Sequence, residues 1–74
     1  MKEQEYTVIV KGDVKSGFWT QVPALPGCGS QGETVEEAVE MTKEAIQSYL
    51  GSLIKHGEPV PEDASVVVKV TVAA

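Results

Sequence analysis

The sequence has no arginine, only one cysteine and one histidine, and 5% aromatic residues. Six basic residues against eleven acidic ones give a net charge of -5, which excludes the basic surface typical of nucleic-acid-binding domains. Such an acidic chain is better suited to a basic protein partner than to direct contact with nucleic acid. The single cysteine, Cys28, excludes an internal disulfide and a cysteine-based zinc site, and it indicates a reducing compartment.

Long apolar runs are also missing. None approaches the roughly 20 residues of a membrane span, and residues 1–5 lack the apolar stretch of a signal peptide. A cytoplasmic protein is therefore expected. The 74 residues allow one small domain. Ordering the chain costs about 1.5 kcal/mol of conformational free energy per residue, and one small core offsets this cost only narrowly. Self-association would bury further apolar area, so a homo-oligomer, either a dimer or a tetramer, is expected.

Three short strands are predicted in the first half of the chain. Residues 6–11 are rich in strand formers and alternate like a half-buried strand. Glycines and polar residues then indicate a hairpin loop, followed by a second strand at residues 18–22. Prolines end the pairing after it, and a weaker signal suggests a third strand at residues 28–31.

One helix follows. Thr34 is the predicted N-cap, and Glu37, three residues later, completes a capping box. Apolar residues then recur at spacings of three and four, which gives the helix one apolar face. Gly57 and the two prolines after it are expected to end the helix.

A fourth strand is predicted at residues 65–72, where valines alternate with other residues. The element order is then β-β-β-α-β. A right-handed crossover would place the last strand beside the first, giving a four-stranded mixed sheet of order 3-2-1-4 with the helix on one face. The other sheet face, with some of Ile9, Trp19 and Val67, would stay uncovered. The valine-rich last strand would form an exposed edge of the sheet, where only Lys69 discourages pairing, so a partner could pair with it.

No enzymatic chemistry is evident in the sequence. Residues 27–32 fit the dinucleotide pattern G-x-G-x-x-G, but two residues separate the third glycine from the helix, so a glycine-rich turn is favoured. Cys28 and His56 could form a nucleophile and base. A buried, inert cysteine and a histidine at the helix end are the preferred interpretation.

Clustered carboxylates are a further candidate feature. Glu36, Glu40 and Glu44 share one helix face, and Asp13 and Glu33 could join them as metal ligands. No histidine accompanies any such set, so a solvated acidic face is favoured, with the alternative that it attracts a cationic protein. No metal and no cofactor are predicted. A partner-binding module and a regulatory domain with an unrecognised ligand both remain open.

A set of motifs resembles the signature of HicB-type antitoxins. It comprises PALPGC at residues 23–28 followed by Ser30, Gly32, Thr34 and Glu37-Ala38, with KEAI at 43–46, GEPVP at 57–61 and GFW at 17–19. The resemblance covers nearly the whole chain. It implies a partial RNase H-like fold, in agreement with the predicted element order. It also implies a single HicB-like domain over residues 1–74. Many such antitoxins carry a carboxy-terminal DNA-binding domain, which is not expected here because the sequence ends at Ala74, right after the predicted fourth strand.

The resemblance further implies a non-enzymatic binding protein that neutralises a small basic HicA-type ribonuclease toxin. The alternative is an oligomeric regulatory or small-ligand-binding domain with no toxin partner. We expect partner contacts from the uncovered sheet face, the loop after the second strand, the acidic helix face and the last strand. These residues are Trp19, Leu25, Pro26, Gly27, Glu36, Glu40, Val67 and Lys69.

Overall fold

The computed structural model describes residues 3–74, which form a small α+β domain with an antiparallel sheet and one helix. Within this part of the chain the elements are β1 (Ile9–Asp13), β2 (Gly17–Gln21), β3 (Gln31–Gly32) and α1 (Val35–Lys55). The strands lie in the order β1-β2-β3. The predicted β-β-β-α succession and the order of its three strands are confirmed.

The limits of α1 follow from the predicted capping residues. The Thr34 hydroxyl accepts a hydrogen bond from the Glu37 backbone amide at 3.0 Å, and the Glu37 carboxylate accepts one from the Glu33 amide at 3.0 Å. The first contact is the N-cap bond of a capping box, whereas the second satisfies the amide of Glu33, the residue before the N-cap, instead of the Thr34 amide. At the other end, His56 is the C-cap and Gly57 has a φ of 68°, in the left-handed region that favours glycine.

The first strand starts later than predicted because the residues before it bind the carboxy-terminal segment. The Thr7 backbone amide donates to the Asp63 carboxylate, and the Tyr6 hydroxyl donates to the Pro61 carbonyl at 2.6 Å. The second strand ends at Gln21, one residue early. The Val22 amide and carbonyl instead bond within the following loop, to Cys28 and Leu25 respectively.

The core lies between the sheet, this loop and α1. Val22, Leu25 and Cys28 form a buried cluster against one side of the helix. Tyr49 and Ile46 pack onto the cluster from α1 and are partly buried. The predicted apolar face of the helix is therefore the face that covers the sheet.

One buried position on the helix is polar. The Thr42 hydroxyl donates to the Ala38 carbonyl at 2.6 Å and is hydrogen-bonded to the Thr20 hydroxyl of β2. Thr20 in turn accepts from the Ser30 amide at 2.8 Å. Among the residues described, every buried side-chain nitrogen or oxygen has a hydrogen-bond partner. The hydroxyls thus join β2, α1 and the chain leading to β3 without an unsatisfied group.

The prediction of a fourth strand at residues 65–72 is wrong for the isolated chain. The described chain has no strand or helix beyond α1. The sheet therefore has the predicted order 3-2-1 but lacks the fourth strand beside β1. All residues from 64 to 74 are exposed. Alternating valines favour an extended backbone, but a strand exists only where a neighbour pairs with it, and here the segment has none among residues 3–74.

Asp63 fixes the start of this carboxy-terminal segment. Its carboxylate accepts from the Thr7 hydroxyl at 2.6 Å and from the Ser65 amide at 2.9 Å. The Thr7 side chain, followed by Ser65, lowers the pKa of Asp63 from 3.8 to about 2, because these donors favour the charged form.

This pKa shift predicts an acid-dependent loss of stability. The folded pKa is the lower one, so the stabilising contribution is complete above about pH 4 and is lost as the pH falls through about 2. We expect the urea midpoint of the wild-type protein to fall more between pH 5 and pH 2 than that of Asp63→Asn. An equal fall of the urea midpoint in the two proteins between pH 5 and pH 2 would contradict this role of Asp63.

Candidate protein-binding surface

The outer face of the sheet carries one large exposed side chain. Residues alternate between the two faces of a strand, and since Thr20 and Val22 are buried, Trp19 lies on the opposite, outer face. Trp19 is 49% exposed and stands between its cross-strand partners, Lys11 of β1 and Gln31 of β3. It therefore offers an aromatic surface with polar neighbours on both sides.

Two shallow depressions border Trp19. The first, of about 560 Å³, lies where β2, β3 and the start of α1 meet, and its lining includes Glu33, Glu37 and Met41. The second, of about 630 Å³, includes Gly27 and Gln31. We call the residues around both depressions the Trp19 surface: Trp19, Gly27, Gln31, Glu33, Glu37 and Met41.

This surface combines apolar area with negative charge. Met41 is 45% exposed, which adds a flexible apolar side chain beside the tryptophan. Glu33 and Glu37 are exposed, and one Glu37 oxygen is held by the Glu33 amide. Such a surface suits a partner with a cationic group next to an apolar contact, and its exposed residue types indicate binding rather than catalysis.

The structure separates the residues of the loop predicted to contact a partner. Leu25 is fully buried in the core, so its side chain cannot present a contact surface. Pro26 and Gly27 are exposed, and the Pro26 carbonyl accepts from the Tyr49 hydroxyl at 3.2 Å. Gly27 borders the same depression as Trp19. The fold thus brings Trp19 and the tip of this loop together.

The other predicted contact residues lie elsewhere. Glu36 and Glu40 are exposed on α1, but neither lines the depressions beside Trp19. Val67 and Lys69 lie in the unpaired carboxy-terminal segment, so they do not share the sheet face with Trp19.

Sequence reasoning missed Met41 and the binding potential of Glu33 and Glu37. For these two residues the sequence predicts only a possible metal ligand at Glu33 and a capping role at Glu37. Glu37 and Met41 are four residues apart, on the flank of α1 beside the buried Ala38 and Thr42. The sequence shows this spacing, but it does not show which flank of α1 lies over β3.

The remaining candidates have structural roles. Cys28 is buried, and burial raises the pKa of its thiol, which keeps it in the unreactive protonated form. The His56 imidazole is hydrogen-bonded to the Ser52 carbonyl at 2.7 Å. The Asp13 carboxylate accepts from the amides of Lys15 and Ser16, within the β1–β2 turn. These donors, Ser16 first, lower the pKa of Asp13.

The glycine motif is part of the sheet and of the chain leading into it. The last two residues of the motif, Gln31 and Gly32, are β3 itself, paired with β2. Within residues 3–74, no group of three or more histidine, cysteine or acidic side chains is placed to hold a metal ion.

Comparison with known proteins explains the motif set. The family model described as HicB_like antitoxin of bacterial toxin-antitoxin system matches residues 6–73. The chain belongs to this HicB_like antitoxin family. The resemblance of its motifs to the HicB signature is thereby confirmed.

Two named relatives and one solved structure are similar to this chain. A UPF0150 protein of Thermoplasma acidophilum is 49% identical over 59 residues, which cover 80% of this chain and 86% of that protein. The UPF0150 protein ssr1765 of Synechocystis is 42% identical over 62 residues, covering 84% and 78%. The crystal structure of the N-terminal domain of Burkholderia pseudomallei antitoxin HicB has a TM-score of 0.72 and 36% identity, covering 82% of this chain and 72% of that one.

Membership in this family places the HicB-like chain among non-enzymatic proteins with a toxin-antitoxin role, and the relatives named here carry no enzyme names. The described residues also include no helix with the length and apolar character of a membrane span.

Proposed function

We propose that this HicB-like chain binds and neutralises a small basic ribonuclease toxin of the HicA type. The observation that carries the proposal is the match to the antitoxin HicB domain over 82% of the chain, at 36% identity. The charge of -5 supports it, because an acidic antitoxin attracts a basic toxin. We place the complex in the cytoplasm and propose no direct contact of this chain with nucleic acid.

The proposed docking site is the Trp19 surface, extended by Pro26 of the neighbouring loop. Trp19 supplies the half-exposed aromatic area that often anchors an interface. Glu33 and Glu37 lie beside it and can accept hydrogen bonds from lysine or arginine side chains of the toxin. The exposed carboxylates of Glu36 and Glu40 extend the negative field along α1 and speed the encounter.

Neutralisation follows from competition for the basic surface of the toxin. A ribonuclease needs positive charge to hold the RNA phosphates. An acidic protein seated on that charge excludes RNA without any chemical step. Raised salt should therefore lower the association rate of the complex more than it raises the dissociation rate.

The proposal predicts a loss of binding on two substitutions at this surface. The test uses any small basic protein whose gene adjoins the one for this chain, co-expressed with the chain and then titrated in a binding assay. Trp19→Ala should weaken binding by about 30-fold, as expected for an anchor that contributes about 2 kcal/mol. Glu33→Lys should lower the association rate about tenfold.

The matched control is Glu58→Lys. Glu58 is exposed beyond the end of α1, and its substitution changes the net charge by the same amount as Glu33→Lys. It should change the association rate by less than about threefold, since a distant charge contributes only through the screened overall field. Rescue of growth with co-purification of both proteins supports the proposal. A toxic neighbour that is neither bound nor silenced contradicts it.

A second candidate function is an oligomeric regulatory domain that has no toxin. An apolar groove beside α1, formed by residues other than those of the Trp19 surface, supports the oligomeric part of this alternative. The same experiment distinguishes the two functions, because a purely oligomeric domain would leave the toxicity of the neighbouring protein unchanged.

A further inference from the structure

An apolar groove lies between α1 and the segment that leads into β1, on the flank of α1 away from β3. It has a volume of about 700 Å³ and is lined by apolar side chains from the segment before β1, from α1 and from the chain after it. We call this the β1 groove and define it by Val8, Val39, Ile46, Leu50, Ile54 and Val60. Ile54 is 66% exposed, although isoleucine is among the most often buried residues.

The edge of the sheet at this groove is free. Within residues 3–74, β1 pairs with β2 only, so its other edge presents unpaired amide and carbonyl groups. A free edge next to an exposed apolar groove is the place where a further strand would be stabilised by hydrogen bonds and by burial together.

The same chain carries an unpaired segment with the pattern of such a strand. Residues 65–72, which we call the valine tail, include five valines that are 67–82% exposed. Val66, Val68, Val70 and Val72 alternate with Val67, Lys69 and Thr71. An extended tail would therefore present four valines on one face and the charged Lys69 on the other.

The tail begins beside the groove but does not enter it. Asp63, held by Thr7, fixes the tail's start next to the segment that leads into β1. Val60 is the last residue of the chain that lines the groove. Beyond Asp63 every residue is exposed, so the tail leaves its own groove uncovered.

We propose that two copies of this chain exchange their valine tails. The tail of each copy pairs with the free edge of β1 in the other and packs its four-valine face into the β1 groove. Each sheet then gains a fourth strand, beside β1, from the partner copy. The inference does not depend on the toxin, since both interacting parts belong to this chain.

A second copy fits this groove better than a basic toxin does. The groove is mainly apolar, and the charged residue that lines it is Lys43, which would repel a cationic partner. The four-valine face is apolar and keeps Lys69 outside. Exchange around a two-fold axis satisfies both grooves and both tails at once and leaves no copy unmatched.

The first test is the mass of the full-length protein in solution at tens of micromolar, measured by sedimentation equilibrium. The wild-type chain should be a dimer. Val68→Lys in the tail and Ile54→Lys in the groove should each shift it to monomer. The matched control is Val14→Lys, which adds the same charge at a position 86% exposed in the β1–β2 turn and should remain dimeric.

Helical circular dichroism checks that the variants fold, and we expect no change because Val68 and Ile54 are mostly exposed in the single chain. A monomeric wild-type protein would overturn the proposal, as would a Val68→Lys variant that is still a dimer. Neither result bears on toxin binding through the Trp19 surface.

Mixing the two defective variants tests exchange directly. Val68→Lys keeps an intact groove and Ile54→Lys keeps an intact tail, so an exchanged heterodimer retains one complete tail-and-groove contact. The mixture should form dimers at concentrations where each variant alone is monomeric. A mixture that remains monomeric at the concentration of the wild-type dimer would overturn tail exchange.

Discussion

Replacing Leu25 with alanine should lower the free energy of unfolding by about 2–5 kcal/mol, the usual range for a buried leucine. Leu25 is fully buried and packs with Val22 and Cys28 between the sheet and α1. A small domain has a modest total stability, so this loss should leave much of the protein unfolded at 37 °C. Urea denaturation followed by circular dichroism measures the change.

The comparison for Leu25→Ala is Val14→Ala, which also removes apolar carbons but at an exposed position. It should change the unfolding free energy by less than about 0.5 kcal/mol. Affinity per folded molecule should be unchanged in Leu25→Ala, since the side chain does not reach the surface. A stable Leu25→Ala variant with weakened toxin binding would instead assign Leu25 to the interface.

The second large effect is expected at Gly32, where β3 passes under the start of α1. A Cβ at this position would lie 2.5 Å from the Ala38 nitrogen and 2.9 Å from the Glu37 carbonyl carbon. Both are backbone atoms of the helix, so the helix would have to move away from the strand. Gly32→Ala should therefore destabilise the fold by about 1–3 kcal/mol, the usual cost of overpacking.

Gly51→Ala is the matched control, because it makes the same chemical change but should raise the free energy of unfolding instead of lowering it. Gly51 lies inside α1, and a Cβ there would meet nothing within 4 Å. Alanine should stabilise the protein by about 0.5–1 kcal/mol, because glycine is a poor helix former. If both variants shift the urea midpoint in the same direction, close packing against α1 does not explain why position 32 is a glycine.

Gly32 also connects stability with the proposed function. It lines the first depression together with Trp19, Glu33 and Glu37. Displacement of α1 from β3 would change the spacing between Trp19 and the carboxylates. A Gly32→Ala protein that still folds should therefore bind the toxin more weakly, whereas Gly51→Ala should bind it normally.

Local signals were enough to place the helix and its cap. Thr34 and Glu37 form their capping contact within one helical turn. The spacing of apolar residues along the helix indicates which face is buried, so residues close in sequence are sufficient for both predictions. The order of the first three strands was predictable for a related reason. Strands that follow one another in sequence usually pair as neighbours, which makes adjacent antiparallel pairing the simplest arrangement.

The candidate site was predictable only in part. Trp19 could be assigned to a partner surface because alternation in β2 sets it opposite the core. Leu25 could not be distinguished from exposed Pro26 and Gly27, since a loop has no periodicity that reports burial. The approach of Glu33 and Met41 to Trp19 depends on the rotation of α1 over β3, which no short segment encodes.

By itself, then, the sequence determined the acidic charge, the small α+β domain, the capped helix and the membership in an antitoxin family. Only the tertiary structure decided that Leu25 belongs to the core and that Trp19, Gly27, Glu33 and Met41 share one surface. It also left the valines of residues 65–72 unpaired beside a free β1 edge. Strand propensity is local, but pairing depends on which distant edge is within reach.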